Sequence, residues 1–156
     1  MTELNGPQGW AGVVLAGGRS SRMGQDKALM AWQGKPLVTH ALDLLRPQVE
    51  ELLIIGDPAT YGHLGPLTLA DDWPGQGPLG GILTALRYAL NDDLIVLACD
   101  MPNLNGRFLE RLVSLAEPDY DAVVAQCDGR LQPLAGVYRR RCRAIFAEQL
   151  DAGERK

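Results

Sequence analysis

The sequence predicts an α/β protein whose mainly parallel sheet is covered by helices on both faces. Short apolar runs alternate with helical patterns from one end of the chain to the other. Continuous apolar runs are typical of strands that are buried on both faces. Strands that alternate with helices require crossover connections, which bring the strands together in parallel. With 156 residues, 46% of them hydrophobic, we expect a single domain over residues 1–156.

Three apolar runs are predicted to form the parallel strands. The first covers residues 11–16 and ends at Gly17 and Gly18, and the others cover residues 52–55 and 94–98. Two later runs, 122–125 and 134–138, flank Asp128 and Gly129, a pair that favours a tight hairpin turn. We therefore expect an antiparallel hairpin to extend the parallel sheet near the C-terminus.

Helices are predicted from apolar side chains that recur at helical spacing. The first helix is expected to have Pro36 at its first helical position. The three apolar stripes consist of Leu37, Val38, Ala41, Leu42 and Leu45, of Leu79, Ile82, Leu83, Leu86 and Leu90, and of Phe108, Leu109, Leu112, Val113 and Leu115. A last helix is expected from about Arg139 to Leu150. Its basic residues 139–143 would form a solvated face or, alternatively, a surface for an anionic substrate.

Composition excludes several classes of protein. A net charge of −4 disfavours a protein that coats nucleic acid, which would usually be basic. No apolar run approaches the roughly 20 residues that span a bilayer, and the N-terminal residues lack the pattern of a secretory signal. The three cysteines are odd in number and have no C-x-x-C spacing, so neither disulfides nor a zinc site is indicated. We expect a cytoplasmic protein that binds neither nucleic acid nor membrane.

The loop after the first strand has the composition of a polyphosphate site. In open α/β sheets, ligands bind outside the carboxyl ends of the strands. There, Gly17 and Gly18 would allow close approach of the backbone, and Arg19, Arg22 and Lys27 would supply charge-assisted hydrogen bonds. The pattern is not a Walker A loop, because no glycine precedes Lys27 and no Ser or Thr follows it. The alternative is a solvated basic loop.

A second glycine-rich loop, residues 70–81, leaves three interpretations open. Residues 75–80 read G-x-G-x-x-G and Asp100 lies 20 residues beyond them, as in a dinucleotide-binding fingerprint. Against that, Asp71 and Asp72 would repel a pyrophosphate, and Pro78 removes an N–H from the anion cradle. The loop could instead grip a base and its ribose, with Asp71 accepting hydrogen bonds. Finally, it could be only the entry to a helix.

The third loop places Asp100 directly after a buried strand. A lone aspartate can bind Mg²⁺ there if phosphate oxygens and water complete the octahedron. The alternative role of Asp100 is to cap the following loop. Cys99 beside it is interpreted as a small buried hydrophobic residue rather than a nucleophile.

These loops, in this order, resemble the molybdenum cofactor guanylyltransferase family. The likeness lies in Leu15-Ala16-Gly17-Gly18 followed by Arg22-Met23-Gly24 and Asp26-Lys27, in Gly77-Pro78-Leu79-Gly80-Gly81, and in Cys99-Asp100-Met101-Pro102. Gln132-Pro133-Leu134 and Ala152-Gly153-Glu154-Arg155 also match. The resemblance therefore covers nearly the whole chain.

The resemblance implies a Rossmann-like three-layer sandwich and a nucleotidyltransferase. Such enzymes join GMP from Mg-GTP to molybdenum-molybdopterin and release pyrophosphate. Asp100 would bind Mg²⁺ and, with Arg19, Arg22 and Lys27, would act in catalysis. The implied GTP site consists of Leu15, Ala16, Gly17, Gly18, Lys27, Asp71 (with Asp72 as an alternative register), Pro78, Leu79, Gly80 and Asp100. The family also implies transient contacts with proteins that deliver molybdopterin or accept the product.

The chain departs from the family pattern at two places. Gly56 and Asp57 stand where relatives often have an asparagine in the nucleotide pocket. Relatives also continue past the Gly-Glu-Arg segment into a strand and an Asn-x-Asn-Thr-Pro segment that helps to hold the metal, and no such residues follow Lys156. On this basis we expect the 156-residue form to bind Mg-GTP but to transfer GMP poorly. The alternatives are a sister nucleotidyltransferase that uses CTP or a sugar phosphate, a non-catalytic nucleotide-binding protein, and an NAD-binding domain.

Overall fold

The computed structural model describes residues 9–17 and 26–154, and its centre is a six-stranded sheet. The strands, in chain order, are β1 (Trp10–Leu15), β4 (Glu51–Ile55), β5 (Leu67–Leu69), β6 (Asp93–Ala98), β7 (Ala122–Cys127) and β8 (Arg130–Arg139). A small antiparallel ribbon, β2 (Ala31–Trp32) and β3 (Lys35–Pro36), lies apart from this sheet. The strand order is β5-β4-β1-β6-β8-β7.

The sheet is parallel on one side and antiparallel on the other. Strands β5, β4, β1 and β6 run parallel, whereas β8 is antiparallel to both β6 and β7. The turn between β7 and β8 has φ of 49° at Asp128 and 76° at Gly129, positive values that suit a two-residue hairpin turn. The expected mainly parallel sheet with an antiparallel hairpin is therefore confirmed.

Helices cover both faces of the sheet. They are α1 (Leu37–Leu45), α2 (Pro58–Tyr61), α3 (Pro78–Tyr88), α4 (Gly106–Leu115) and α5 (Cys142–Asp151). Neighbouring strand residues contribute to different cores: Val14 packs in the core that includes α1 and α4, and Val13 in the core that includes α3 and α5. This alternation makes the predicted three-layer sandwich.

The register brings the ends of the parallel strands to one edge. Leu15 of β1 lies opposite both Ile55 of β4 and Ala98 of β6, and Ile55 lies opposite Leu69 of β5. Because these strands end level with one another, the loops that follow them meet at the same edge. This edge includes the point between β1 and β6 where the strand order reverses, the usual place for a ligand in an open α/β sheet.

Three expectations about helix ends are wrong. Helix α1 begins at Leu37, because Pro36 has the extended conformation of a capping residue. Helix α3 ends at Tyr88, and Leu90 beyond it is 87% exposed, so Leu90 does not belong to the apolar stripe. The backbone of Leu90 instead donates to the carboxylate of Glu51. Leu115 ends α4 and is exposed.

The basic residues near the C-terminus also differ from expectation. Arg139 ends β8, and α5 begins only at Cys142. Arg139 pairs with Asp93 at 2.5 Å, Arg140 with Asp92 at 2.7 Å, and Arg141 with Asp121. These pairs tie the end of β8 to the first residue of β6 and to the loops before β6 and β7, away from the carboxyl edge of the parallel strands. The predicted solvated helix face is therefore wrong for residues 139–141.

No helix within residues 9–17 and 26–154 is both long enough and apolar enough to cross a bilayer.

Candidate active site

The first loop leaves β1 in close contact with β4. The backbone amides of Ala16 and Gly17 both donate to the carbonyl oxygen of Ile55, at 2.9 and 3.3 Å. Gly17 is exposed at the edge of the sheet, as expected for a ligand-contacting position. Gly18, Arg19 and Arg22, which the sequence also assigns to the site, lie outside the described residues.

After the first loop, Lys27 begins a short 3-10 helix, Lys27–Leu29. Asp26 caps the helix by accepting a hydrogen bond from the amide of Ala28 at 2.9 Å. Ala28 is 1% exposed and anchors the turn in the core, while Lys27 is exposed. The Lys27 side chain is therefore open to solvent, while Asp26 and the buried Ala28 hold the backbone of its turn in place.

Tyr61 joins the two ends of this loop, and sequence reasoning missed it. Its hydroxyl donates to Oδ2 of Asp26 and lies 3.1 Å from the carbonyl oxygen of Ala16. The ring is 3% exposed. Burial, and then the hydrogen bond to Asp26, raise the pKa of Tyr61. The start of α2 is visible in the sequence at Asp57 and Pro58, but nothing in the sequence shows that Tyr61 reaches Asp26.

Asp57 and Gly56, at the place where relatives often carry an asparagine, have structural partners. Asp57 caps α2 by accepting from the amide of Ala59 at 3.0 Å and from the hydroxyl of Thr60 at 2.9 Å. A Cβ on Gly56 would stand 2.8 Å from the ring of Tyr61. Neither residue replaces the asparagine in kind.

In the second loop, Asp71 and Asp72 have different surroundings. Oδ1 of Asp71 accepts from the amide of Trp73 at 2.8 Å and lies 3.1 Å from the hydroxyl of the fully buried Thr84. Asp72 instead pairs with Arg87 at 2.9 Å, in the last turn of α3. The Asp71 carboxylate therefore lies near Trp73 and Thr84, whereas the Asp72 carboxylate lies beside Arg87 in the last turn of α3.

The start of α3 packs against this loop. Pro78 is the first helical residue and is exposed, while Leu79 and Gly80 are buried. Leu79 packs with Leu83 and Leu150. Of the three residues that the sequence assigns to the nucleotide here, Pro78 is open to solvent and the other two take part in packing.

In the third loop, Asp100 is exposed in the turn after β6, next to the half-buried Cys99. Burial, followed by the charge of Asp100, raises the pKa of the Cys99 thiol to about 11. The charges of Asp26 and Lys27 also act on that thiol. Cys99 is itself protonated near neutral pH and packs against the core.

The donor set suits a metal that arrives with a nucleotide. In the part of the chain that the structure describes, no group of three or more His, Cys, Asp or Glu side chains could hold a metal ion. Asp100 offers one exposed carboxylate. Mg²⁺ commonly uses one or two carboxylates together with substrate phosphates and water. The site therefore fits a magnesium–nucleotide complex better than a metal held by protein alone.

A mainly parallel sheet covered by helices, with its loops gathered at the carboxyl edge of the strands, is typical of α/β enzymes that bind their ligands at that edge. Residues 12–156 match the family model described as "MobA-like NTP transferase domain". The chain therefore belongs to this family and is a nucleotidyltransferase.

Individual relatives and a solved structure support the same family assignment. A protein of Carboxydothermus hydrogenoformans named "Probable molybdenum cofactor guanylyltransferase" is 39% identical over 138 residues, covering 88% of this chain and 70% of the relative. A Bacillus cereus protein of the same name is 37% identical, covering 85% and 69%. The crystal structure of molybdopterin-guanine dinucleotide biosynthesis protein A from Archaeoglobus fulgidus has a TM-score of 0.77 at 26% identity, covering 94% of this chain and 75% of that one.

Proposed function

We propose that this nucleotidyltransferase transfers GMP from GTP to the terminal phosphate of molybdenum-molybdopterin, giving the guanine dinucleotide and pyrophosphate. The proposal depends chiefly on one observation: β1 and β6 end level with each other, with Leu15 opposite Ala98, so the loop that leads to Lys27 and the loop that carries Asp100 leave the sheet at the same edge. A cation and a metal-binding carboxylate at one edge suit the phosphates of a nucleotide. The names of the relatives supply the guanine and the molybdopterin.

In the proposed reaction, a phosphate oxygen of molybdopterin attacks the α-phosphorus of GTP in line with the leaving pyrophosphate. Lys27 stabilises the negative charge that develops on the pyrophosphate, and Arg19 and Arg22 are proposed to assist it. Asp100 would hold Mg²⁺, which neutralises charge on the phosphate oxygens when it is bound. Positioning and electrostatics account for most of the catalysis in such transfers.

The nucleoside is proposed to lie between the first and second loops. Leu15, Ala16, Gly17 and Gly18 would contact GTP through the backbone, and Pro78, Leu79 and Gly80 would border the base. Asp71 is the better candidate for a nucleotide contact than Asp72, because Asp72 is already paired with Arg87. The enzyme would also make transient contacts with proteins that supply molybdopterin or accept the product.

Calorimetric titration with GTP, CTP, ATP and NAD, each with and without Mg²⁺, tests the proposal. We expect GTP to bind most tightly, with a further gain on adding Mg²⁺. Pyrophosphate release with GTP and molybdopterin then tests the reaction itself. A preference for CTP would indicate a cytidylyl-transferring relative, a preference for NAD would indicate a dinucleotide domain, and GTP binding without any turnover would indicate a binding protein.

A further inference from the structure

We propose that Tyr61 is a positioning residue, which orients Lys27 toward the phosphates by holding Asp26. This inference rests on the proposed function, since it assigns Lys27 to the phosphates of the nucleotide. Tyr61 itself is buried and would not touch the ligand.

The two oxygens of Asp26 are held from opposite directions. Oδ1 accepts from the amide of Ala28, one residue beyond Lys27, and Oδ2 accepts from the hydroxyl of Tyr61. A carboxylate held at both oxygens has little freedom to rotate. Because Asp26 directly precedes Lys27, this fixes the point from which the lysine side chain extends.

Tyr61 also spans the first loop. Its hydroxyl lies 3.1 Å from the carbonyl oxygen of Ala16, the residue that follows β1, so a single group contacts the residues on either side of positions 17–25. The distance between the strand end and Lys27 is therefore set by a side chain from α2.

Gly56 makes room for the Tyr61 ring. A Cβ at this position would stand 2.8 and 2.9 Å from two ring carbons and 3.4 Å from the Cβ of Ala16. Any larger residue would push the ring away from Asp26. In this chain the glycine at position 56 thus accommodates the tyrosine at position 61.

The test is Tyr61→Phe, which removes the hydroxyl and keeps the ring. We expect GTP and inorganic pyrophosphate to bind about tenfold more weakly, as for the indirect loss of one charge-assisted contact, while guanosine binds as before. In the Lys27→Ala background, Tyr61→Phe should have no further effect on GTP binding. Equal losses for guanosine and GTP, or losses that add in the double variant, would overturn the positioning role.

Two further variants keep the test independent of folding. Tyr138→Phe removes another buried hydroxyl, one that donates to the carbonyl oxygen of Pro133 at 2.5 Å, and should leave the ratio of GTP to guanosine affinity unchanged. Asp26→Ala breaks the same link from the other side and should reproduce the selective loss. If Asp26→Ala binds GTP like the wild type, the proposal is wrong even if Tyr61→Phe fails to fold.

The pyrophosphate titration separates this inference from the proposed function. If the wild-type protein prefers CTP to GTP, guanylyl transfer is contradicted, but a selective loss of pyrophosphate binding in Tyr61→Phe still supports the positioning role. If the wild type prefers GTP and Tyr61→Phe binds pyrophosphate normally, only the positioning role is overturned. A wild type that binds neither nucleotide nor pyrophosphate contradicts both.

Discussion

Gly80 lies directly against the backbone of Trp73. A Cβ at position 80 would stand 2.9 Å from the carbonyl oxygen of Trp73 and 3.3 Å from Oδ1 of Asp71. The glycine that completes the G-x-G-x-x-G pattern is therefore explained by the packing of the second loop onto α3. No dinucleotide is needed to account for it.

Gly80→Ala is expected to displace the second loop. The Trp73 carbonyl is backbone and cannot turn aside, so overpacking should lower the free energy of unfolding by about 1–3 kcal/mol. GTP binding should weaken as well, because Asp71 moves with the loop. Chemical denaturation and calorimetry measure the two effects. Gly106→Ala, where a Cβ meets nothing within 4 Å, is the control, and equal behaviour of the two variants would contradict the packing role.

Lys27→Ala is expected to weaken GTP far more than guanosine. Loss of a charge-assisted hydrogen bond worth roughly 1.5–3 kcal/mol corresponds to about a 10- to 150-fold lower affinity. Lys35→Ala is a matched control, because Lys35 is also exposed and pairs with Asp43, at 2.7 Å. Titration of all three proteins with GTP and guanosine measures the effect. Equal loss of both ligands in Lys27→Ala would indicate a folding role instead.

Asp100→Asn should keep the fold and abolish Mg²⁺-dependent transfer. Asparagine has nearly the same shape but lacks the negative charge that holds a hard cation. GTP binding without metal should persist, as titration in the presence of a chelator would show. Asp119→Asn changes another exposed aspartate, in the loop between α4 and β7, and should transfer GMP at the same rate as the wild type. Normal turnover by Asp100→Asn would mean that the carboxylate only caps its loop.

Stability should fall in alkaline solution through Tyr138. Burial raises the pKa of its hydroxyl from 10.0 to about 12. The unfolded chain therefore loses the proton first, and the stabilising contribution, complete below pH 10, is lost between about pH 10 and 12. The loss is on the order of 2 kcal/mol. Urea unfolding of the wild type and of Tyr138→Phe across this range should show a shallower decline in the variant, and parallel declines would refute the assignment.

The layers of the fold could be predicted from the sequence because buried strands show continuous apolar runs within a few residues. Val13, Val14 and their neighbours in β1 form a continuous apolar run, and such runs mark strands covered on both faces. Helix ends were less predictable: Leu90 fits the helical spacing of α3, but the chain has already turned toward Glu51. Local spacing carries no information about that partner.

The candidate site shows the same difference between residues with a local sequence pattern and residues whose role depends on a partner distant in sequence. The position of Gly17 and Asp100 at the carboxyl edge could be predicted, because each closely follows a buried apolar strand. Tyr61 and Thr84 could not, because their roles depend on contacts with Asp26 and Asp71, which lie 35 and 13 residues away. Residues 139–141 were misassigned for a similar reason, since their aspartate partners lie at the start of β6 and in other loops.

The central place of β1 in the sheet has a consequence for how the protein is made. On the ribosome β1 is synthesised before both of its neighbours, and it pairs Ala11 with Glu51 on one side and with Leu94 on the other. Pairing over such separations in sequence slows folding. Until β6 has emerged, one side of a wholly apolar strand has no partner, and exposed edges of this kind are where nascent chains aggregate. Co-translational folding is thus expected to depend on protecting β1 until β6 has been translated.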